Sequence, residues 1–230
     1  MKALLLTLAA LLAYIPSPAS LLKRAAGRTM SLGKTREVSL IGTLSVRSEP
    51  TRPAQLVLHF PLSCKLEGDG GLSLSVHGTP DQPTRTAEGT TGPALQMLQL
   101  VCPFLTYRGL PPDAAEGALR AATLASGTDV TAASALARFG DRVVYVLGAG
   151  ARDLTRPQLW IYKDNNAPAR LLAQGGADLR LLEYGSSAAA DYFPRVMELW
   201  QAGQLAARFE VLETKGAKGA GEEEEDDSRE

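Results

Sequence analysis

Apolar and polar residues alternate along much of the chain from Arg36 onward, and turn-forming residues interrupt the alternation at intervals of about eight to fifteen residues. In the first such segment the apolar residues Val38 and Leu40 fall on one side, whereas Ser39 and Thr43 fall on the other. A period of two is typical of a half-buried antiparallel strand. The same alternation returns at residues 56–62, 72–76 and 205–211. It predicts a long sheet with one apolar face, which helices of the protein or a guest molecule must cover.

Turn residues divide the chain into about ten predicted strands and three predicted helices. The strands are predicted at residues 36–46, 55–62, 72–77, 133–139, 142–147, 157–163, 168–174, 177–184, 192–200 and 204–214. The helices are predicted at residues 21–32, 94–105 and 113–125, with a Gly-rich turn at 64–71 and a long loop at 78–92. Hairpin-linked strands in this number twist and curl. The predicted fold class is α+β, mainly β, with a curved antiparallel sheet that forms an incomplete barrel under a helical lid.

The predicted helix at residues 94–105 is too apolar for a surface exposed to water. Only Gln96 and Gln99 interrupt its run of apolar side chains. Pro93 suits the first position of a helix, and Pro103 is expected to bend or end it. We therefore expect this helix to pack into the concave side of the sheet as a lid or plug.

The N-terminal residues have the pattern of a secretory signal peptide. Lys2 precedes an apolar run at residues 3–13, and the small residues around Ala19 suit a signal peptidase, so we expect cleavage after Ala19. The apolar run is about half of the ~20 residues that a membrane-spanning helix needs. The alternative is a buried N-terminal helix. The pattern predicts a signal peptide at residues 1–19, a single domain at 20–215, and a periplasmic protein that does not span the membrane.

The C-terminal residues 216–230 are predicted to be a disordered acidic tail. Residues 222–230 carry seven acidic residues and one arginine, whereas the part of the chain between Lys2 and this block has a net charge of +4. A block of like charges without apolar residues cannot bury enough surface to become ordered. Such a tail is expected to act as a solubilising segment or, alternatively, to bind a basic protein partner in the cell envelope.

Two cysteines, Cys64 and Cys102, are the only ones in the chain. In an exported protein an even pair predicts a disulfide, here joining an early strand to the end of a helix; two buried free thiols are the alternative. The two histidines, His59 and His77, do not combine with the cysteines in a spacing that would bind a metal. We predict no metal site and no cofactor.

The residues also lack the patterns of an enzyme or of a nucleic-acid-binding protein. No serine lies in a G-x-S-x-G motif, no pair of carboxylates is singled out, and Gly68-Asp69-Gly70-Gly71 lacks the lysine of a phosphate-binding loop. The arginines are scattered and aromatic residues make up only 6% of the chain, which argues against nucleic acid as a partner. Arg170, Arg180 and Arg195 lie on neighbouring predicted strands, where one of them could meet an anionic head group or all could be ordinary outward-facing charges.

The C-terminal half of the chain resembles the LolA-like family of periplasmic lipoprotein carriers. The resemblance rests on a W-x-x-x-D segment at residues 160–164, a turn followed by Pro168 and Arg170, a strand ending at Tyr184, and a Phe193-Pro194 step. The order of elements also fits over most of the chain. The resemblance implies an incomplete barrel whose lid encloses an apolar cavity for acyl chains, and a soluble shuttle between the two membranes. The cysteine pair, the loop at 78–92 and the acidic tail depart from the family pattern.

These observations favour a non-enzymatic carrier or chaperone that holds lipid or the acyl chains of a lipoprotein between sheet and lid. The predicted lining of the apolar cavity consists of Leu40, Leu44, Leu58, Phe60, Leu95, Leu98, Val101, Phe104, Trp160, Phe209 and Val211. For Trp160, packing in the protein core is the alternative to contact with a guest. The alternative function is a structural or interaction module of the cell envelope, in which the lid fills the half-barrel and partners bind elsewhere.

Overall fold

The computed structural model describes residues 15–27, 36–79, 82, 86–90, 92–107, 110–184 and 193–217. Within these residues the helices are α1 (Pro18–Ala26), α2 (Pro93–Thr106) and α3 (Pro112–Ala125). The strands are β1 (Glu37–Val46), β2 (Arg52–His59), β3 (Ser63–Gly68), β4 (Leu72–His77), β5 (Thr86–Glu88), β6 (Ala135–Phe139), β7 (Arg142–Leu147), β8 (Gln158–Tyr162), β9 (Pro168–Leu172), β10 (Ala177–Tyr184), β11 (Pro194–Gln201) and β12 (Gln204–Ala217).

All the described strands belong to one antiparallel sheet of twelve strands, in the order β5-β4-β3-β2-β1-β12-β11-β10-β9-β8-β7-β6. The first and last strands of this order, β5 and β6, do not pair with each other, so the sheet is an open, incomplete barrel. The predicted fold class is confirmed. Strand β12 lies in the middle of the sheet, where it pairs with β1 along the whole length of β1.

The pairing of β1 with β12 contains a bulge between Ile41 and Gly42. A Cβ atom at Gly42 would lie only 1.8 Å from the carbonyl oxygen of Glu210, so only glycine fits at this close approach of the two backbones. The apolar residues Val38, Leu40, Leu44 and Val46 of β1 are all buried. The alternation in the sequence therefore identified one buried face of the central strand correctly.

Two strands lie where the sequence predicted a turn and a loop. β3 occupies most of the predicted turn at 64–71, and β5 lies within the predicted loop at 78–92. In β3 the buried residues Cys64 and Leu66 alternate with the partly exposed Lys65 and Glu67, so a period of two was present. Because of the segment Gly68-Asp69-Gly70-Gly71, the whole region was predicted as a turn, although the tight turn starts only at Asp69.

The first helix starts and ends earlier than predicted. The side chain of Ser17 accepts a hydrogen bond from the backbone N–H of Ser20, and Pro18 occupies the first turn, which together set the start of α1. Its apolar face of Leu21, Leu22, Ala25 and Ala26 is buried. The helix ends at Ala26 instead of residue 32, and residues 28–35 lie outside the described residues.

The ends of the predicted domain fall only partly within the described residues. Helix α1 includes residues 18 and 19, on the signal-peptide side of the predicted cleavage site, while residues 1–14 lie outside the described residues. Strand β12 continues to Ala217 and so includes the first two residues of the predicted tail. Residues 218–230 lie outside the described residues. The signal peptide and the acidic tail therefore stay predictions.

Helix α2 lies against the inner face of the sheet and forms the centre of the core. It contacts strands on both sides of β1, including β2, β3, β4, β10, β11 and β12, and α3 packs against it. Ten of its residues are buried, and the helix continues through Pro103 to Thr106. Helix α1 packs on α3. Among the described residues, no helix has the length and apolar character needed to cross a membrane.

Candidate functional site

The inner face of the sheet and helix α2 bring together ten of the eleven residues predicted to line an apolar cavity. Six come from the sheet, counting the residue just after β2, and four come from the helix. They belong to one continuous core cluster and are Leu40, Leu44, Leu58, Phe60, Leu95, Leu98, Val101, Phe104, Phe209 and Val211. Their predicted contact with a ligand stays a prediction.

These ten side chains are closed off from solvent. None has a relative exposure above 8%, and Leu40, Leu44, Leu58 and Phe209 have 0%. A side chain that lines an open cavity keeps surface that water can reach, and these ten side chains keep very little. An apolar ligand would therefore have to displace part of the protein from the inner face.

The C-terminal half of α2 is anchored covalently. A disulfide joins Cys102 to Cys64 of β3, with a Cα–Cα distance of 5.8 Å, which confirms the predicted pairing. The bridge closes a loop of 38 residues, and in the chain-entropy model this stabilises the fold by about 4 kcal/mol. One turn further, the hydroxyl of Tyr107 donates a hydrogen bond of 3.0 Å to the carbonyl of Ala25 in α1.

The N-terminal half of α2 is held by non-covalent contacts alone. Its cap residue, Gly92, has no side chain to bond the free N–H groups of the first turn. The side-chain amide of Gln201 in β11 donates to the side-chain carbonyl of Gln96. In its first turn, Ala94 and Leu95 retain 8% and 6% exposure, whereas Cys102 and Leu105 in the C-terminal half retain 0% and 1%. The helix is therefore attached asymmetrically, by a covalent bond in its second half and by non-covalent contacts in its first half.

The prediction that Trp160 lines the inner cavity is wrong. Trp160 lies on the opposite, outer face of the sheet, in a second cluster with Val144, Val146, Tyr162, Ala167 and Ala169. The inner positions of the same strand are taken by Leu159 and Ile161. Because every residue of β8 is buried, alternation of polar and apolar residues could not tell which face was which.

The outer face carries a cluster of aromatic rings that sequence reasoning missed. The rings of Phe139 and Trp160 meet edge to face with centroids 5.7 Å apart, and those of Tyr162 and Tyr184 do so at 5.9 Å. The guanidinium of Arg142 lies 3.8 Å above the Tyr162 ring. Burial raises the pKa of Tyr162 to about 12, so its phenol is neutral at physiological pH. Aromatic residues at outward positions of successive strands were the available indication.

Charged side chains cover the neighbouring part of the outer face, from β9 to β12. The carboxylate of Asp178 accepts bonds from Arg170 at 2.7 Å and from Arg180 at 2.9 Å. The guanidinium of Arg180 lies 4.3 Å from the centre of the Trp200 ring. Burial pushes the pKa of Asp178 upward, but the bonds from the two arginines outweigh burial and hold that pKa below its ordinary value.

The three arginines considered as head-group contacts have different surroundings. Arg170 and Arg180 both donate hydrogen bonds to Asp178 on the outer face, so they do not lie at the rim of the inner core. Arg195 in β11 is exposed, and strand alternation places it on the same face as the buried inner residue Met197. Of the three, Arg195 alone lies on the side where a head group was expected.

The two histidines lie at exposed positions. The Nδ1 atom of His59 lies 3.1 Å from a carboxylate oxygen of Glu37, and that of His77 lies 3.1 Å from the hydroxyl of Ser63. Within the described ranges, no three His, Cys, Asp or Glu side chains are grouped so that they could hold a metal ion.

A shallow cavity of about 150 Å³ lies between the loop at residues 154–157 and the β9–β10 turn at residues 172–177. It is lined mainly by Leu154, Pro157, Leu172 and the Gly175–Gly176 backbone, with Arg156 at its side. Small-molecule sites usually have volumes of ~300 Å³ or more. This cavity is too small for an acyl chain.

No family model matches the sequence, and no curated protein matches it. Solved structures do match. A LolA superfamily protein from Nitrosomonas europaea is 13% identical with a TM-score of 0.44, and the match covers 87% of this chain and 94% of that chain. In fold, the chain resembles a LolA superfamily protein. A DUF1329 family protein from Desulfovibrio piger is 9% identical with a TM-score of 0.48, covering 89% of this chain and 95% of that one.

Proposed function

We propose that the protein is a periplasmic carrier or chaperone that holds an apolar ligand, lipid or the acyl chains of a lipoprotein, between α2 and the inner face of the sheet. The observation that supports this most is the asymmetric attachment of α2. Its C-terminal half is cross-linked to β3, whereas its N-terminal half is held by non-covalent contacts, which include the Gln96–Gln201 bond. The proposal is that the beginning of the helix moves while its end stays in place.

The free energy of such an exchange is favourable because the apolar surface of the ligand leaves water while the surface that it covers stays buried. Moving the first turns of α2 would uncover Leu95, Leu98 and the inner-face residues beneath them. An acyl chain that covers the same surface restores its burial, at ~25 cal/mol for each Å² of apolar area removed from water. Burial of several hundred Å² of the chain itself then contributes several kcal/mol toward binding.

The proposed compartment agrees with the cysteine chemistry. Both cysteines form one buried disulfide, and such bridges persist in oxidising compartments such as the bacterial periplasm. The predicted signal peptide at residues 1–19 supports the same location. An enzymatic role is not part of the proposal.

The test is to purify the exported protein, extract it with organic solvent, and titrate it with a fluorescent fatty acid. We expect recovery of lipid and saturable binding of the probe. Leu95→Gln, on the side of α2 that packs in the core, is expected to weaken binding about five- to ten-fold because it puts an unpaired amide against the acyl chain. The matched control is Leu212→Gln on β12, where the side chain is 67% exposed and the same change should leave binding unaltered.

Absence of extracted lipid together with absence of probe binding would contradict the carrier proposal. Equal effects of Leu95→Gln and Leu212→Gln would place the probe outside the inner face. Circular dichroism of each variant shows whether a loss of binding reflects a loss of fold.

A second function is favoured by the complete burial of Leu40, Leu44, Leu58 and Phe209. If α2 fills the half-barrel permanently, the protein acts as an interaction module of the envelope. Affinity capture with the full chain and with a chain lacking residues 222–230 separates the two functions. Partners that are lost on removal of the tail, with no bound lipid, would support the module; bound lipid without such partners would support the carrier.

A further inference from the structure

The sheet ends at one side in a strand whose outer edge is unpaired in the described part of the chain. β6 pairs with β7 over its five residues, and no other described backbone group bonds to it. The opposite edge is different, because β5 has only three residues and pairs only with the end of β4. An unpaired edge presents a row of N–H and C=O groups that can receive another strand.

The side chains of this edge are incompletely covered on both faces. On the inner face, Leu136 is 43% exposed and Val143, on the neighbouring strand, is 36% exposed. On the outer face, Ala135, Ala137 and Phe139 are only half-buried against the aromatic cluster. Both apolar layers of the sheet therefore reach this edge, where the described residues cover them only in part.

The sequence of β6, Ala135-Leu136-Ala137-Arg138-Phe139, is complementary to itself in an antiparallel pairing centred on Ala137. In that pairing the small side chain of Ala137 lies opposite its own copy, and the ring of Phe139 lies opposite the small side chain of the second Ala135. Leu136 lies opposite the second Arg138, whose aliphatic stem can cover it. No two like charges lie directly opposite one another, and no proline interrupts the strand.

We propose that a second copy of this chain is the partner of the β6 edge, and that the two copies form a symmetric dimer through antiparallel β6–β6 pairing. The contact is isologous, so every favourable pair is made twice. Pairing of two five-residue strands buries less than the ~1,200 Å² that marks the lower end of stable interfaces. The dimer is therefore weak and forms reversibly as the protein concentration rises.

Sedimentation velocity over a concentration series, up to about 200 µM, tests the proposal. The wild-type chain is expected to shift from monomer to dimer across the series. Leu136→Arg places an arginine opposite the second Arg138 at both ends of the contact, and we expect the dimer to weaken by about ten-fold or more. Leu136→Glu removes the same exposed leucine but places a carboxylate opposite that arginine, so the dimer should be kept or strengthened.

A charge exchange and a control away from the edge complete the design. Adding Arg138→Glu to Leu136→Arg places a carboxylate opposite each introduced arginine and should restore the dimer. Leu212→Arg changes another exposed leucine, on β12 near the middle of the sheet, and should leave the dimer unaltered. Wild-type protein that stays monomeric throughout the series would overturn the proposal. So would equal dissociation by Leu136→Arg and Leu136→Glu, because the pairing centred on Ala137 requires opposite effects.

Discussion

The inner face of the sheet and the part of its outer face on β7 to β9 are both buried, but different side chains cover the two. Helix α2 covers the inner face with aliphatic and aromatic side chains, and a disulfide fixes one end of that helix. The outer face between β6 and β12 has arginines stacked on aromatic rings and tied to carboxylates. Apolar contacts have no required geometry, whereas hydrogen-bonded ion pairs do. The proposed carrier function therefore places the hydrocarbon chain under the inner cover and not under the outer one.

The largest expected difference between the faces comes from removing one phenylalanine on each. Phe209→Ala on the inner face, where the side chain has no exposed surface, should lower the free energy of unfolding by about 3–5 kcal/mol. Phe139→Ala on the outer face should lower it by about half as much, because that ring is only half-buried. Urea denaturation of both variants measures the difference. Equal losses would mean that the outer cluster is as important to stability as the core.

The next effect tests how strongly the end of α2 is attached. Replacing both Cys64 and Cys102 by serine should lower the free energy of unfolding by about 2–4 kcal/mol, since the bridge no longer restricts the unfolded chain. Reducing agent should lower the stability of the wild type and leave the double variant unaffected. An unchanged unfolding midpoint in the double variant would show that packing alone holds α2 on the sheet.

The third effect concerns the outer network around Asp178. Asp178→Asn removes the negative charge between Arg170 and Arg180 and should cost about 1–2 kcal/mol at pH 7, at the low end for a charged hydrogen-bonded group because Arg180 is partly exposed. The pKa of Asp178 is lower in the folded than in the unfolded protein, so its contribution is present above its ordinary value of 3.8 and is lost as the pH falls through the folded pKa.

Urea denaturation of the wild type and of Asp178→Asn at several pH values measures this dependence. The two unfolding free energies should differ at pH 7 and converge as the pH falls below about 3.8. A difference that persists unchanged in acid would show that the loss comes from altered shape and not from the missing charge.

The smallest expected effect separates charge from geometry at Arg142. Its guanidinium bonds Asp164 at 2.6 Å while it stacks on Tyr162. Arg142→Lys keeps the positive charge but loses the planar fork and the stacking, and because the pair is partly exposed we expect a loss of less than about 1 kcal/mol. Arg142→Ala should cost slightly more. Thermal unfolding measures both losses. A lysine variant as stable as the wild type would show that only the positive charge of Arg142 contributes to stability.

The sequence predicted the inner face of the sheet better than the outer face. Alternation at Leu40, Leu44 and Phe209 identified the inner face because the opposite positions of β1 and β12 are polar. Trp160 was assigned to the wrong face because β8 is apolar on both sides. The pairing of Arg170 and Arg180 with one aspartate depends on the register of β9 and β10, which a single sequence does not specify.

Element boundaries failed where a strong local pattern competed with a weaker one. The Gly-rich segment at 68–71 led to the prediction of a turn in place of β3, although Cys64 and Leu66 alternate with charged residues. The apolar spacing after Leu21 suggested a helix running to residue 32, whereas the cap at Ser17 and the first-turn Pro18 begin it earlier. The closed state of the interior depends on how side chain volumes fit together, and periodicity carries no information about that.

The most direct measurement of the proposed ligand site is photo-cross-linking with a diazirine-bearing fatty acid, followed by mass spectrometry of the labelled peptides. The inner-face site predicts labels on the first half of α2, around Leu95 and Leu98, and on the inner positions of β1 and β12. Labels confined to outer-face residues near Trp160 or Trp200, or no labels at saturating probe, would contradict it.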